Sequence, residues 1–227
     1  MGVTVEFPSN GHTASGHLAV PASGSGPGLI VIQEWWGLVP HIVEVCDRFA
    51  EAGFVALAPD LFHGTTTTEP NEAGKLMMSL NLDQAARDLA GALRHLEGMD
   101  EVTGKGIGVT GFCMGGGLAL VLATQQPHIK ACVPWYGVIP WPHAQPDWSA
   151  LQARVLAHIA EHDDNFGPGP AAELEATLQG LGKDVDFEVY AGAQHAFFND
   201  TRPEVFDPVA SELAYERTVV FLHETLD

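Results

Sequence analysis

The stretch "GIGVTGFCMGGGLALV", residues 106–121, reads as an apolar strand, a tight glycine-lined turn around one cysteine, and an apolar helix. Around Cys113 the residues G-F-C-M-G have the form G-x-S-x-G, a strand-turn-helix motif that lifts a nucleophile clear of a sheet, with a thiol in place of the usual hydroxyl. Cys113 is therefore a candidate nucleophile. The backbone N–H of Met114, at the start of the helix, is expected to point where a carbonyl oxygen would become an oxyanion, with a second donor from the loop after the first buried strand.

Outward from this motif, apolar runs of strand length alternate with segments of helical period. "GLIVIQE" and "FVALAPDLF" are continuous buried-strand runs, and between them "HIVEVCDRFAEAG" is amphipathic and stops at Gly53. "LNLDQAARDLAGALRHLEGM" sets Leu82, Ala86, Leu89, Leu93 and Leu96 on one helical face ahead of the strand "KGIGVTGF". Beyond the motif come strands "IKACVPWYG", "ARVLAHIA" and "DFEVYAG", with helices "AAELEATLQGLG" and "VASELAYERTVVFLHETL". The opening "VTVEFPSNGHTASGHLAV" reads as two antiparallel strands around an Asn10-Gly11 turn, and the segment 62–80 as a loop. The expected architecture is one α/β domain over residues 1–227: a mostly parallel sheet with an antiparallel N-terminal edge and helices on both faces.

Composition narrows the function. Of 227 residues, 46% are hydrophobic and 17% charged, as in a globular enzyme. Asp and Glu number 29 against 10 Lys and Arg, a net charge of -19 that repels phosphate backbones and anionic headgroups, so neither nucleic acid nor membrane is an expected partner. No apolar run approaches the about 20 residues of a membrane span, and the first residues lack the pattern of a secretory signal, which sets the expectation of a cytoplasmic protein. Three cysteines, Cys46, Cys113 and Cys132, suit reduced thiols better than a disulfide framework. With no closely spaced cysteine pair and no H-E-x-x-H, no metal and no cofactor are expected. A monomer or weak homodimer is the expected state.

In a parallel sheet the loops past the carboxyl ends of the strands share one rim, so polar residues just after strands converge. Four positions qualify: Glu34 after "LIVIQ", Cys113, Asp163 or Asp164 after "VLAHIAEH", and His195 after "EVYAGAQ". Nucleophile, then acid, then histidine is the chain order of α/β-hydrolase triads. An imidazole there takes the thiol proton and later returns it to a leaving group, while the aspartate fixes its tautomer. Asp163 is favoured over Asp164, although spacing leaves the register open. Glu34 is either a loop-solvating carboxylate or an alternative acceptor for the thiol proton. Trp35, Trp36, Trp135 and Trp141, with Tyr136 and Phe198, suggest an apolar pocket over the turn, with Asn199 also placed there.

The chain resembles the dienelactone hydrolase family of α/β hydrolases in "VIQEWWG" (31–37), "APDLF" (58–62), "GFCMGGG" (111–117), "WYG" (135–137), "AEHDD" (160–164), "GAQHAFFN" (192–199) and "ERTVVFL" (216–222). That resemblance implies an α/β-hydrolase fold, with Cys113 as nucleophile, His195 as base, Asp163 as orienting acid, Glu34 assisting thiol activation, and the N–H groups of Met114 and Trp35 as oxyanion hole. It also implies hydrolysis of a small-molecule ester or lactone through an acyl-thioester. Where the dienelactone enzymes carry an arginine shortly after the histidine, this chain has Asn199, with Arg202 beyond it, so small, neutral or weakly anionic substrates are expected. Two other readings share parts of the pattern: a thiol-dependent acyltransferase or thioesterase, and a non-catalytic binder on a hydrolase scaffold.

Overall fold

The computed structural model describes residues 2–227. In chain order its strands are β1 (Val3–Ser9), β2 (His12–Ala19), β3 (Gly26–Ile32), β4 (Val55–Pro59), β5 (Val102–Phe112), β6 (Ile129–Trp135), β7 (Arg154–His162) and β8 (Val185–Gln194). The helices are α1 (Pro40–Glu51), α2 (Pro70–Met78), α3 (Leu82–Glu97), α4 (Met114–Gln125), α5 (Pro168–Gly180) and α6 (Pro208–Leu226). All eight strands form one sheet in the order β1-β2-β4-β3-β5-β6-β7-β8.

Every residue of β3 and β4 is buried, because helices cover both faces there, and this is why their sequences lack polar alternation. The β1-β2 hairpin turns at Asn10 and Gly11, both with positive φ, the geometry that matches strand twist. The pairs β1-β2 and β2-β4 are antiparallel and the rest parallel, which is the expected sheet with its antiparallel N-terminal edge. Ile42, Val45 and Phe49 of α1 and Leu89, Leu93 and Leu96 of α3 enter the core. Each such side chain contributes about 1.5–3 kcal/mol when fully buried.

Two local features differ from the sequence reading. The buried stripe of α3 includes Ala85, Asp88 and Ala92, while Leu82 and Ala86 lie at its margin. Asp88 turns inward to accept hydrogen bonds from the Ser9 hydroxyl and from Gln84 Nε2 (2.8 Å), with His63 Nε2 at 3.3 Å, so the helix is rotated toward the hairpin. A buried carboxylate requires such partners. The second difference is α2, a helix where a loop was expected; Pro70 at its first position fits a helix start, because the missing N–H has no intrahelical acceptor there. Among the described residues, no helix is long and apolar enough to cross a membrane.

Candidate active site

After β3 the chain crosses to β4 on one side and then returns to place β5 on the other, so the loops past β3 and β5 diverge and leave a crevice at the carboxyl edge. Ile32 of β3 pairs with Gly111 of β5, so Glu34 and Cys113, each two residues further on, leave neighbouring strands side by side. The same logic joins β7 and β8: His162 pairs with Gln194, which brings Asp163 and His195 together.

Cys113 has φ 54° and ψ -117°, a region that side-chain-bearing residues enter at a cost of order 1–3 kcal/mol. Backbone hydrogen bonds hold it there. Its N–H donates to Trp135 O (3.0 Å), and its carbonyl accepts from Gly116, Gly117 and Val138 N–H at 3.0, 3.2 and 3.1 Å. The turn is tight enough that a Cβ on Gly115 would be driven into the carbonyl oxygens of Ile32 and Gln33. Only glycine lets α4 sit this close to the end of β3. Among the described residues, the N–H groups of Met114 and Trp35 donate to no backbone carbonyl.

His195 Nδ1 donates to Asp163 Oδ2 across 2.7 Å, and the other carboxylate oxygen accepts from the N–H groups of Asn165 (2.8 Å) and Phe166 (3.2 Å). A carboxylate only accepts, so Nδ1 carries a proton. Burial works to lower the imidazole, but the bonds and charges of Asp163 and Cys113 outweigh it and raise His195 from 6.5 to about 10. Burial likewise opposes ionisation of Asp163, and His195 with the two backbone donors overcomes it, holding this carboxyl below its usual range. Of the two neighbouring aspartates, Asp163 is the one that bonds His195, and Asp164 is exposed.

Glu34 is 1% exposed and accepts at both oxygens, from the Tyr136 hydroxyl on Oε1 (3.3 Å) and from Asn199 Nδ2 on Oε2 (2.7 Å). Burial and the nearby Glu34 and Cys113 push the Tyr136 hydroxyl well above its ordinary value, which keeps its proton available for Glu34. Thr201 fixes the Asn199 amide, because its N–H (3.1 Å) and hydroxyl (2.6 Å) both donate to Oδ1 and so turn Nδ2 toward Glu34.

A cavity of about 140 Å³ is bounded by Glu34, Trp35, Trp36, Cys113, His195 and Arg202, with Met77, Val138, Asn165 and Ala196 completing its wall. Of the expected pocket residues, Trp35 and Trp36 line it, whereas Tyr136, Phe198 and Asn199 lie behind the wall, each at most 2% exposed. Each is held away by a partner: Tyr136 and Asn199 by Glu34, and Phe198 by stacking on Phe112 at 5.4 Å. Trp135 turns into the core to bond Thr110 Oγ1 (3.1 Å), and Trp141 ties its loop to Met77 O (3.2 Å). Arg202, Met77 and Val138 were not anticipated. The Arg202 guanidinium lies over the Trp36 ring at 5.8 Å, a cation-π contact that no spacing rule reveals. Cys46 and Cys132 are buried thiols whose ionisation burial strongly opposes. Among the described residues, no group of three or more His, Cys, Asp or Glu side chains is arranged to hold a metal ion.

A mostly parallel sheet, a strained cysteine turn between β5 and α4, and a His-Asp pair past the last two strands define the α/β-hydrolase class. The family model for the dienelactone hydrolase family matches residues 14–226. The chain is 38% identical over 234 residues to "Protein usf" of Aquifex pyrophilus, spanning 100% of both. It is 34% identical over 228 residues to a "Putative carboxymethylenebutenolidase" of Aquifex aeolicus, spanning 97% of both. The crystal structure of a "Putative Dienelactone Hydrolase" from Klebsiella pneumoniae superposes with a TM-score of 0.84 at 26% identity, over 98% of this chain and 99% of that one. The chain belongs to the dienelactone hydrolase family and is a lactone or ester hydrolase.

Proposed function

We propose that the protein hydrolyses small carboxylic esters or lactones by way of a thioester on Cys113. The observation that carries this reading is the hydrogen bond from His195 Nδ1 to Asp163, which leaves Nε2 for the thiol of the strained Cys113 turn.

The raised His195 draws the thiol proton onto Nε2 ahead of the attack, Cys113 Sγ then adds to the carbonyl carbon, and the carbonyl oxygen becomes an oxyanion facing the N–H groups of Met114 and Trp35. The tetrahedral species collapses with cleavage of the C–O bond. His195 returns the proton to the departing alkoxide, which stays tethered when the substrate is a lactone. Water then gives a proton to His195 and attacks the thioester; cleavage of the C–S bond releases the acid and restores the thiol. Asp163 holds the imidazole in the required tautomer and stabilises its charged form. Glu34, pinned by Tyr136 and Asn199, is a fixed carboxylate on the cavity wall beside Cys113 and influences where the thiol proton resides. The three unpaired thiols support action in a reducing compartment, the cytoplasm.

The test is steady-state hydrolysis of activated esters and unsaturated lactones by parent and Cys113→Ala. Loss of turnover with the fold retained by circular dichroism supports the assignment. Hydrolysis near the parental rate rejects it.

A further inference from the structure

We propose that a second cavity, adjoining the one at Cys113, is the subsite for an aromatic, uncharged part of the substrate; this rests on the hydrolase reading above. The Cys113 cavity holds about 140 Å³, below the roughly 300–1,000 Å³ of ordinary small-molecule sites, and accommodates little beyond the reacting ester group. Beside it lies a cavity of about 430 Å³. The two share the side chains of Trp36 and Arg202 as walls, so a substrate larger than the first extends past Trp36 into the second.

The second cavity is apolar in the atoms it has to offer. Trp36, Val39, Pro40 and Pro70 supply ring and aliphatic carbon. Pro40 and Pro70 are the first residues of α1 and α2, so each of the two helix starts on this wall presents a proline ring and lacks one of the N–H groups that would hold an anion. Most of the polar side chains on the wall already have partners: His41 Nδ1 bonds Asp200 Oδ1 at 3.0 Å and Thr67 Oγ1 accepts from Glu69 N–H at 3.0 Å, which leaves His41 Nε2 and the Thr68 hydroxyl as neutral hydrogen-bonding groups. Arg202 directs both Nε and Nη2 to Glu204 Oε1 at 2.9 Å, and the Thr201 hydroxyl is spent on Asn199. A planar hydrocarbon against the Trp36 indole gains both burial and aromatic contact, while a carboxylate meets two basic side chains that each already face a carboxylate, Arg202 with Glu204 and His41 with Asp200.

Two matched pairs of esters test this: trifluoroethyl acetate with trifluoroethyl 3-phenylpropionate, and ethyl with 2-phenylethyl methoxyacetate. They place the ring on the acyl and on the alcohol side in turn. Thr68→Trp fills the cavity from an exposed position. It is expected to lower kcat/KM at least tenfold, through KM, for a ring-bearing ester, and to leave its ring-free partner within twofold of parent. Val39→Phe, introduced from another part of the wall, gives the same split should Thr68→Trp fold poorly. Equal losses on both members of each pair, or no loss on either ring-bearing ester, overturn the subsite. If the ring-free esters are not turned over at all, or are turned over equally by Cys113→Ala, it is the hydrolase reading that has failed and the subsite falls with it.

Discussion

Asn199 Nδ2 donates to Glu34 Oε2 across 2.7 Å, joining the loop after His195 to the residue that leaves β3 beside Cys113. This bond is wholly buried, and its direction is imposed by the two donors from Thr201 that occupy the amide oxygen. It makes the position of Glu34 a property of the loop that also carries His195.

Asn199→Leu removes this donor and leaves Tyr136 as the remaining side-chain partner of a buried carboxylate. A stability loss of about 1–3 kcal/mol is expected by denaturant titration, with a lower kcat/KM. Asn199→Asp sets a second carboxylate against Glu34. Its activity is expected to recover relative to Asn199→Leu as pH falls and the pair takes up a proton, because two adjacent carboxylates cannot both stay ionised cheaply. Identical pH-rate profiles for the two variants would exclude a charge-positioning role for this bond.

Asp163→Asn keeps the shape of the site but replaces an acceptor-only carboxylate with an amide that tolerates the wrong imidazole tautomer. A fall in kcat of about 10³–10⁴-fold is expected. Asp164→Asn, at an exposed position, is expected to stay within about twofold of parent. Reversal of these two results means that His195 takes a different acid in solution.

The shifted titrations of this pair set a pH window for stability. His195 is raised from 6.5 to about 10 in the folded protein, so its contribution is complete below the unfolded value and disappears as pH rises through the folded one. Asp163 is lowered, so its contribution is present above the ordinary carboxylate range and is lost as pH falls through the folded value. The free-energy gap between parent and His195→Gln, measured by denaturant unfolding, is therefore expected to be widest in mildly acidic solution and to shrink steadily toward pH 10. A gap that grows with pH means that His195 is not held in its charged form by Asp163 and Cys113.

Gly115→Ala forces a methyl group into the carbonyl oxygens of Ile32 and Gln33. Relief requires α4 to move away from β3, which shifts Met114 N–H relative to Glu34 and Trp35. A stability loss of about 1–3 kcal/mol and a fall in kcat larger than the rise in KM are the expected results, read from thermal unfolding and steady-state kinetics.

The sequence displayed the architecture well wherever burial leaves a periodic trace. The uninterrupted apolar run of β3 and the glycine-framed turn at Cys113 each admit one structural reading, and the four strand-end residues Glu34, Cys113, Asp163 and His195 do reach one rim of the sheet. Other features leave no such trace. Helix α2 has nine residues and only Ala73 fully buried, too little for a periodic signal. Trp36 and Trp135 both stand near strand ends, yet the first lines the cavity and the second turns into the core to reach Thr110, a choice made by tertiary partners. Asp88 interrupts an apolar stripe because Ser9, far away in the chain, supplies its hydrogen bond. Arg202 acquires its place at the site from the Trp36 ring and from Glu204, contacts visible only once the loops are folded.

The covalent role of Cys113 is tested most directly by intact-mass spectrometry during turnover of an activated ester, followed by peptide mapping, with Cys113→Ala in parallel. A transient adduct of the acyl mass on the Cys113 peptide, absent from Cys113→Ala and decaying at a rate consistent with product release, is the expected result. Turnover that persists in Cys113→Ala at the parental rate, with no adduct on the parent, contradicts the thioester route.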